Sequence, residues 1–188
     1  GLYGEHHVSN ALAAAAVARE LGVPVGSVAA ALGTARARSR WRMEVTERPD
    51  GVTVVNDAYN ANPESVRAAL RTLASMAGGR RTWAVLGEML ELGAAAPEEH
   101  RAVGRLAVQT GVSRLVAVGE GARPVQEGAR ETDGEESVLV PDAAAALALL
   151  REGVRPDDVV LVKASRAAGL EKVAEGLLAG PGPVGDGP

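Results

Sequence analysis

The sequence predicts an α/β fold, a Rossmann-like, doubly wound, mostly parallel sheet over residues 39–179, preceded by two helices. Three observations carry that prediction. Short β-branched runs at 52–55, 82–86, 115–118, 138–140 and 159–162 alternate with stretches of helical period. The spacing of these pairs suits right-handed βαβ units. Between residues 52 and 66 the period changes from strand to helix across a loop, Asn56-Asp57-Ala58-Tyr59-Asn60-Ala61-Asn62, that is far more polar than a plain connection needs.

The first 33 residues read as two helices. One runs from about Val8 to Leu21, is rich in Ala and stops at Gly22, and the other runs from about Val25 to Leu32 and stops at Gly33. An Ala-rich helix lets a neighbour approach closely, so both are expected to pack against a larger body. Arg36, Arg38, Arg40 and Arg42 then make a basic linker, which is either a solvated hinge or an anion site.

Residues 43–56 read as a hairpin around the turn Pro49-Asp50-Gly51, its second arm 52–55 a buried strand. From Pro63 the helical stripe is Val66, Ala69, Leu70, Leu73 and Ala77, with Asn62 as its cap and Glu64 at the positive end of the dipole. The next strand, 82–86, runs into Gly87-Glu88-Met89-Leu90-Glu91-Leu92-Gly93, a candidate ligand loop. Pro97 opens a helix with Val103, Leu106 and Ala107 inward, and His100 in its first turn is expected at the surface. The strand 115–118 ends at Gly119, and a weaker helix follows to about Arg130. After the strand 138–140, Asp142 caps a helix through Leu150. The strand 159–162 leads into Lys163-Ala164-Ser165-Arg166 and a last helix from about Leu170 to Leu178. The Gly/Pro-rich tail, 180–188, is expected to be disordered.

Composition narrows the function. With 188 residues, 46% hydrophobic, 23% charged and a net charge of −4, the chain reads as an ordinary globular sequence with a core of Val, Leu and Ala, for it has no Phe. No basic stripe is interleaved with aromatics, so nucleic-acid binding is not suggested. The absence of Cys excludes disulfides and thiolate metal sites and suits a reducing compartment. No apolar run is long enough to span a bilayer and no secretory signal is visible, which makes cytoplasmic the default expectation. A start at Gly1 reads as a fragment boundary. No Gly-x-x-x-x-Gly-Lys-Ser/Thr occurs, so this chain does not cradle a triphosphate in the usual loop.

The candidate site residues carry competing readings. Asp57 follows a buried strand and precedes a helix N-terminus, where it could accept from a ribose hydroxyl or hold a metal-bound water, or simply serve its turn through Asx bonds. His6, His7 and Asn10 could face a nucleotide base, hold a metal or cap the first helix. Lys163 is one of only two lysines, with Lys172. Followed by Ser165 and Arg166, it suits an anionic group, or it is a strand-end lysine reaching for water.

Five stretches, in order along the chain, resemble the Mur ligase family: Gly4-Glu5-His6-His7-Val8-Ser9-Asn10, Ser39-Arg40-Trp41-Arg42-Met43-Glu44, Asn56-Asp57-Ala58-Tyr59-Asn60-Ala61-Asn62-Pro63, Leu86-Gly87-Glu88-Met89-Leu90-Glu91-Leu92-Gly93 with His100, and Val162-Lys163-Ala164-Ser165-Arg166. The third is the most particular, and resembles the member that adds D-alanyl-D-alanine to UDP-N-acetylmuramoyl-tripeptide. The resemblance implies that residues 1–38 close a central ATPase domain and that 39–179 form the family's C-terminal domain. It implies ATP-driven amide formation through an acyl phosphate, with the phosphate loop and the Mg2+ ligands upstream and no metal ligand here. It further implies a cytoplasmic, monomeric enzyme of which this portion alone is inactive.

Carried residue by residue, it implies catalytic roles for Arg42, Asp57 and Lys163. Nucleotide contacts fall to His6, His7, Asn10, Arg42 and Asp57, and substrate contacts to Tyr59, Asn60, Asn62, Glu88, Ser165 and Arg166. His7 stands where the family usually has Asn, and Ala164 where it usually has Gly. Two alternatives remain open: another ligase of the same architecture, such as a folylpolyglutamate synthase, and a non-catalytic α/β binding module.

Overall fold

Asn62 does what its position promised. Its side chain accepts from the Ser65 N–H while Ser65 Oγ accepts from the Asn62 N–H, a reciprocal cap that starts α3 (Pro63–Ala77). In the computed structural model, which describes residues 6–35, 40–134 and 136–180, α3 is one of five helices on a six-stranded sheet. The strands are β1 (Glu44–Glu47), β2 (Thr53–Asn56), β3 (Thr82–Gly87), β4 (Arg114–Val118), β5 (Ser137–Val140) and β6 (Val159–Lys163). Their order is β1-β2-β6-β3-β4-β5, with β1 antiparallel to β2 and every other pair parallel.

Side-chain alternation along these strands builds two cores. Val55, Ala84, Leu86, Leu115, Ala117, Val159 and Leu161 face α3, α4 (Ala96–Gln109) and α5 (Arg123–Arg130). Val54, Trp83, Val85, Val116, Val160 and Val162 face α6 (Ala143–Gly153) and α7 (Glu171–Leu178). Strands buried on both faces read as continuous apolar runs rather than alternating ones. Helices α4 and α5 meet backbone to backbone: a Cβ on Gly104 would strike the Val125 carbonyl, and one on Gly128 the Arg101 carbonyl. Asp142 caps α6 through the Ala145 N–H at 2.8 Å, as the sequence indicated.

This winding positions the site. The chain leaves β2 for α3 on one face of the sheet and leaves β6 for α7 on the other, although β2 and β6 are hydrogen-bonded neighbours. Their carboxyl ends therefore border a crevice, and so do those of β6 and β3, since α4 also lies on the α3 side.

The two leading helices, α1 (His6–Glu20) and α2 (Val25–Thr34), pack on each other but bury little. No residue of α2 is buried, and Val8, Leu12, Val17 and Leu21 are all exposed. Three of the four linker arginines and the tail beyond Gly180 meet the limits of description differently: Arg36 and Arg38 lie outside the described residues, as does the tail 181–188, whereas Arg40 is described and pairs loosely with Glu175 at 3.7 Å. Among the described residues no helix is long and apolar enough to cross a membrane.

Candidate functional site

Asn56 pairs with Val162 across β2 and β6, and the Asp57 N–H extends that ladder to the Val162 carbonyl at 2.9 Å. Asp57 is thus the first side chain past the carboxyl end of β2, and Lys163 the last residue of the adjacent strand β6. Lys163 Nζ lies 2.6 Å from Asp57 Oδ2 and donates to the Asn60 carbonyl at 2.9 Å, which engages two of its three donors. The lysine side chain is 3% exposed and the aspartate 14%, so the pair is enclosed with its acid end toward the cleft. The cleft above it, about 480 Å³, is lined by Arg42, Asp57, Tyr59, Asn62, Lys163 and, from α1, Asn10.

Arg42 enters this cleft from an unusual turn. Trp41 and Met43 on either side of it have φ of 60° and 47°, the left-handed region that costs a non-glycine residue about 1 kcal/mol or more. Three bonds hold the turn in place: the Tyr59 N–H donates to the Trp41 carbonyl at 3.0 Å, the Met43 N–H donates to Asp57 Oδ1 at 3.0 Å, and the Trp41 N–H donates to Glu44 Oε2 at 3.3 Å. Both oxygens of Asp57 are therefore engaged, one by a lysine and one by main chain. The Arg42 guanidinium lies over the Tyr59 ring, 4.2 Å from its centroid.

The second crevice, between β6 and β3, is knotted by Ser165. Its N–H donates to the Glu88 carbonyl at 3.1 Å, and its hydroxyl accepts from the Leu90 N–H at 2.9 Å. Beside it a cleft of about 400 Å³ is lined by Asn60, Asn62, Leu90, Glu91, Ser165 and Arg166. Asn60 and Asn62 line both clefts. A Cβ on Gly87 would meet the Ala164 Cβ at 2.7 Å, so the close approach of β3 and β6 rests on Gly87 and tolerates alanine at 164.

His100 corrects the sequence reading. It is buried, 1% exposed, not at the surface. Its Nε2 accepts from the Met89 N–H at 2.8 Å and its Nδ1 donates to the Ala96 carbonyl at 2.6 Å, an assignment that follows from the partners. Positions 100, 103, 104 and 107 form one inward stripe of α4, so the helical period already contained this placement.

The structure brings together Asn10, Arg42, Asp57, Tyr59, Asn60, Asn62 and Lys163 at the first cleft, with Ser165 and Arg166 at the second. Glu88 is apart: exposed, it rests its carboxylate against Gly121 beyond β4 and lines neither cleft. The His6 and His7 side chains lie outside the described residues. Two residues that shape the clefts were given no role of their own from sequence. Met43 supplies the main-chain donor to Asp57, and Glu91 lines the second cleft in a left-handed conformation, φ 66°. A β-hairpin start carries no distinguishing composition, whereas Glu91 belongs to the glycine-flanked loop that the sequence offered as a ligand loop.

The family model described as Mur ligase, glutamate ligase domain, matches residues 41–166. The chain belongs to the Mur ligase family. A UDP-N-acetylmuramoyl-tripeptide–D-alanyl-D-alanine ligase of Mycobacterium bovis is 55% identical over 95% of this chain and 39% of its own length. The enzyme of the same name from Escherichia coli is 33% identical over 94% of this chain and 38% of its own. A crystal structure of MurF from Acinetobacter baumannii superposes with a TM-score of 0.83, at 30% identity, over 94% of this chain and 38% of that one. MurF from Thermotoga maritima, solved in complex with ADP, superposes with a TM-score of 0.76 at 27% identity, over 95% and 39%. The chain thus spans about two fifths of the length of these Mur ligases. The mostly parallel α/β sheet is the fold of their C-terminal domain. The matched region begins at Trp41 and ends at Arg166, and these two side chains stack on each other 4.6 Å apart.

Proposed function

We propose that this chain is the C-terminal part of an ATP-dependent ligase that joins D-alanyl-D-alanine to UDP-N-acetylmuramoyl-tripeptide in the cytoplasm. The relatives that bear this name match nearly the whole chain, whereas the enzyme named UDP-N-acetylmuramoylalanine–D-glutamate ligase from Rubrobacter xylanophilus is 34% identical over 86% of it. The observation that carries the reading is the Asp57–Lys163 pair on the floor of the crevice, beside an arginine free of any ion pair among the described residues. A carboxylate at a strand end suits ribose hydroxyls, and a lysine and an arginine suit phosphate.

In this reading the first cleft takes the nucleotide, with Asp57 and Asn10 toward the nucleoside and Arg42 and Lys163 toward phosphate. The second takes the incoming dipeptide, with Asn60, Asn62, Ser165 and Arg166 as its contacts. The γ-phosphoryl group of ATP passes to the tripeptide carboxylate, and the dipeptide amine attacks the acyl phosphate and displaces phosphate. Fixed cations would stabilise the charge that develops on the tetrahedral intermediate. Among the described residues no group of three His, Asp or Glu is placed to hold a metal, and we assign the Mg2+ ligands, like the phosphate loop, to the preceding ATPase domain. Residues 1–38 would close that domain, which accounts for the apolar side chains that α1 and α2 leave uncovered. The whole enzyme is taken to act as a monomer.

Supplying the full-length protein with ATP, the tripeptide substrate and either D-alanyl-D-alanine or D-glutamate tests this directly. Phosphate release only with the dipeptide is expected, and release with neither would sink the proposal.

A further inference from the structure

Arg42 and Arg166 enter different clefts from different loops, yet both rest on one aromatic ring. The Arg42 guanidinium lies 4.2 Å and the Arg166 guanidinium 5.7 Å from the centroid of Tyr59. Arg166 also lies 4.6 Å from the ring of Trp41. Trp41 is tied down three times, its carbonyl by the Tyr59 N–H at 3.0 Å, its main-chain N–H by Glu44 Oε2 at 3.3 Å and its indole N–H by Glu175 of α7 at 3.2 Å. The result is a ladder, Arg42–Tyr59–Arg166–Trp41, that crosses from the first cleft to the second through three loops.

Three features suggest more than surface packing. Neither arginine makes an ion pair among the described residues, so both keep their full charge for a ligand. Tyr59 is 36% exposed, and its hydroxyl makes no hydrogen bond among the described residues, so the ring face rather than the phenol carries the contact. The turn that delivers Arg42 to the ring is left-handed on both sides, a conformation that persists only where its surroundings hold it.

We infer that Tyr59 is a positioning residue that aims Arg42 at the nucleotide and Arg166 at the amine-donating substrate, so that each cleft is ordered through the other. This rests on the ligase reading above. A guanidinium on a flexible stem loses rotamer freedom when it binds an anion, and stacking it beforehand removes part of that cost. The ring serves both arginines, so its loss must disturb both substrates together.

The test is steady-state kinetics of the full-length ligase. Tyr59→Leu keeps apolar volume but removes the ring's negative face. It should raise KM for ATP and for the dipeptide together, each roughly tenfold, with kcat little changed, and Tyr59→Phe should restore both. Combined with Arg42→Ala, the Leu variant should add nothing further to KM for ATP. If Leu impairs folding, fluorinated phenylalanines at position 59 keep the shape while draining charge from the ring, and both KM values should climb with fluorine number. A flat series, or a Leu variant that moves one KM alone, would overturn the inference while leaving an active ligase. An unaltered protein without ligase activity would instead overturn the reading of function and this inference with it.

Discussion

Strand β6 carries an acid–base pair at each end, and the two are built differently. At its amino end Asp158, with a side chain 4% exposed, accepts from the Arg81 fork, the Trp83 indole N–H at 2.9 Å and the Arg155 N–H at 2.9 Å. Its main-chain carbonyl takes the Thr53 N–H at 2.9 Å, so β2, β3 and β6 are pinned at one point. At its carboxyl end Asp57 and Lys163 satisfy each other and two stretches of main chain, but they open onto a cleft instead of a core. One pair is saturated by the protein. The other keeps capacity for something outside it, which is the difference between an ion pair that holds a sheet and one that serves a site.

The largest expected effect tests the first half of that contrast. Asp158→Ala strands Arg81 and the Trp83 N–H, and should cost about 3 kcal/mol or more in denaturant unfolding. Arg81 is 24% exposed and can recover some hydration, which keeps the figure at the low end of buried-pair losses. Asp57→Asn removes the charge facing the buried Lys163 but keeps an amide oxygen for it to donate to at the edge of a cleft, and should cost less, about 2 kcal/mol. Equal losses at both ends would erase the distinction.

Turnover should show the reverse order. On the proposed ligase reading, Asp57→Asn in the full-length protein is expected to lower kcat/KM by about a hundredfold, on the scale of a removed transition-state or nucleotide contact. Asp158→Asn should leave kcat/KM of the folded fraction within about twofold, since it touches neither cleft. A turnover assay corrected for the folded fraction compares the two.

How much of this was legible depends on the range of the interaction. Asn62 and Asp142 as caps, the apolar stripe of α3 and the strand-end positions of Asp57 and Lys163 are local patterns, and the chain states them within a few residues. The insertion of β6 between β2 and β3 is not local: it joins Asp57 to a lysine 106 residues away, and no periodicity encodes which strands become neighbours. The left-handed turn at Trp41 and Met43 was invisible for a related reason, because two of the three bonds that hold it come from Tyr59 and go to Asp57, residues from the loop after β2. His100 is the opposite case. Its place on the inward stripe of α4 is written in the spacing, while the polarity of the imidazole argues for the surface.

His100 supports a more modest prediction about the carboxyl end. With His100→Ala the Met89 N–H loses its buried acceptor and a small void opens, which should cost about 2 kcal/mol. The loop segment Leu90–Leu92 would loosen where it lines the second cleft, so on the proposed ligase reading KM for the dipeptide should rise more than KM for ATP. Hydrogen exchange at Met89 checks the structural part independently.

The smallest expected effect is a change in pH dependence. Burial by itself would raise the Asp158 carboxyl, but the Arg81 fork, the Arg155 N–H and the Trp83 N–H together outweigh it and hold the group below the ordinary aspartate range. A depressed folded-state pKa means that the unfolded chain takes up the proton first as acid is added. The stabilisation is thus complete above the ordinary aspartate range near about 4, declines as pH falls below it, and is gone once pH passes the depressed folded value. Replacing Asp158 by Asn should therefore flatten the acid limb of the stability curve below about pH 4 while leaving its slope at neutral pH untouched. An acid limb as steep as that of the unaltered chain would mean that other carboxylates set it, and that the amino-end pair holds the sheet by geometry more than by charge.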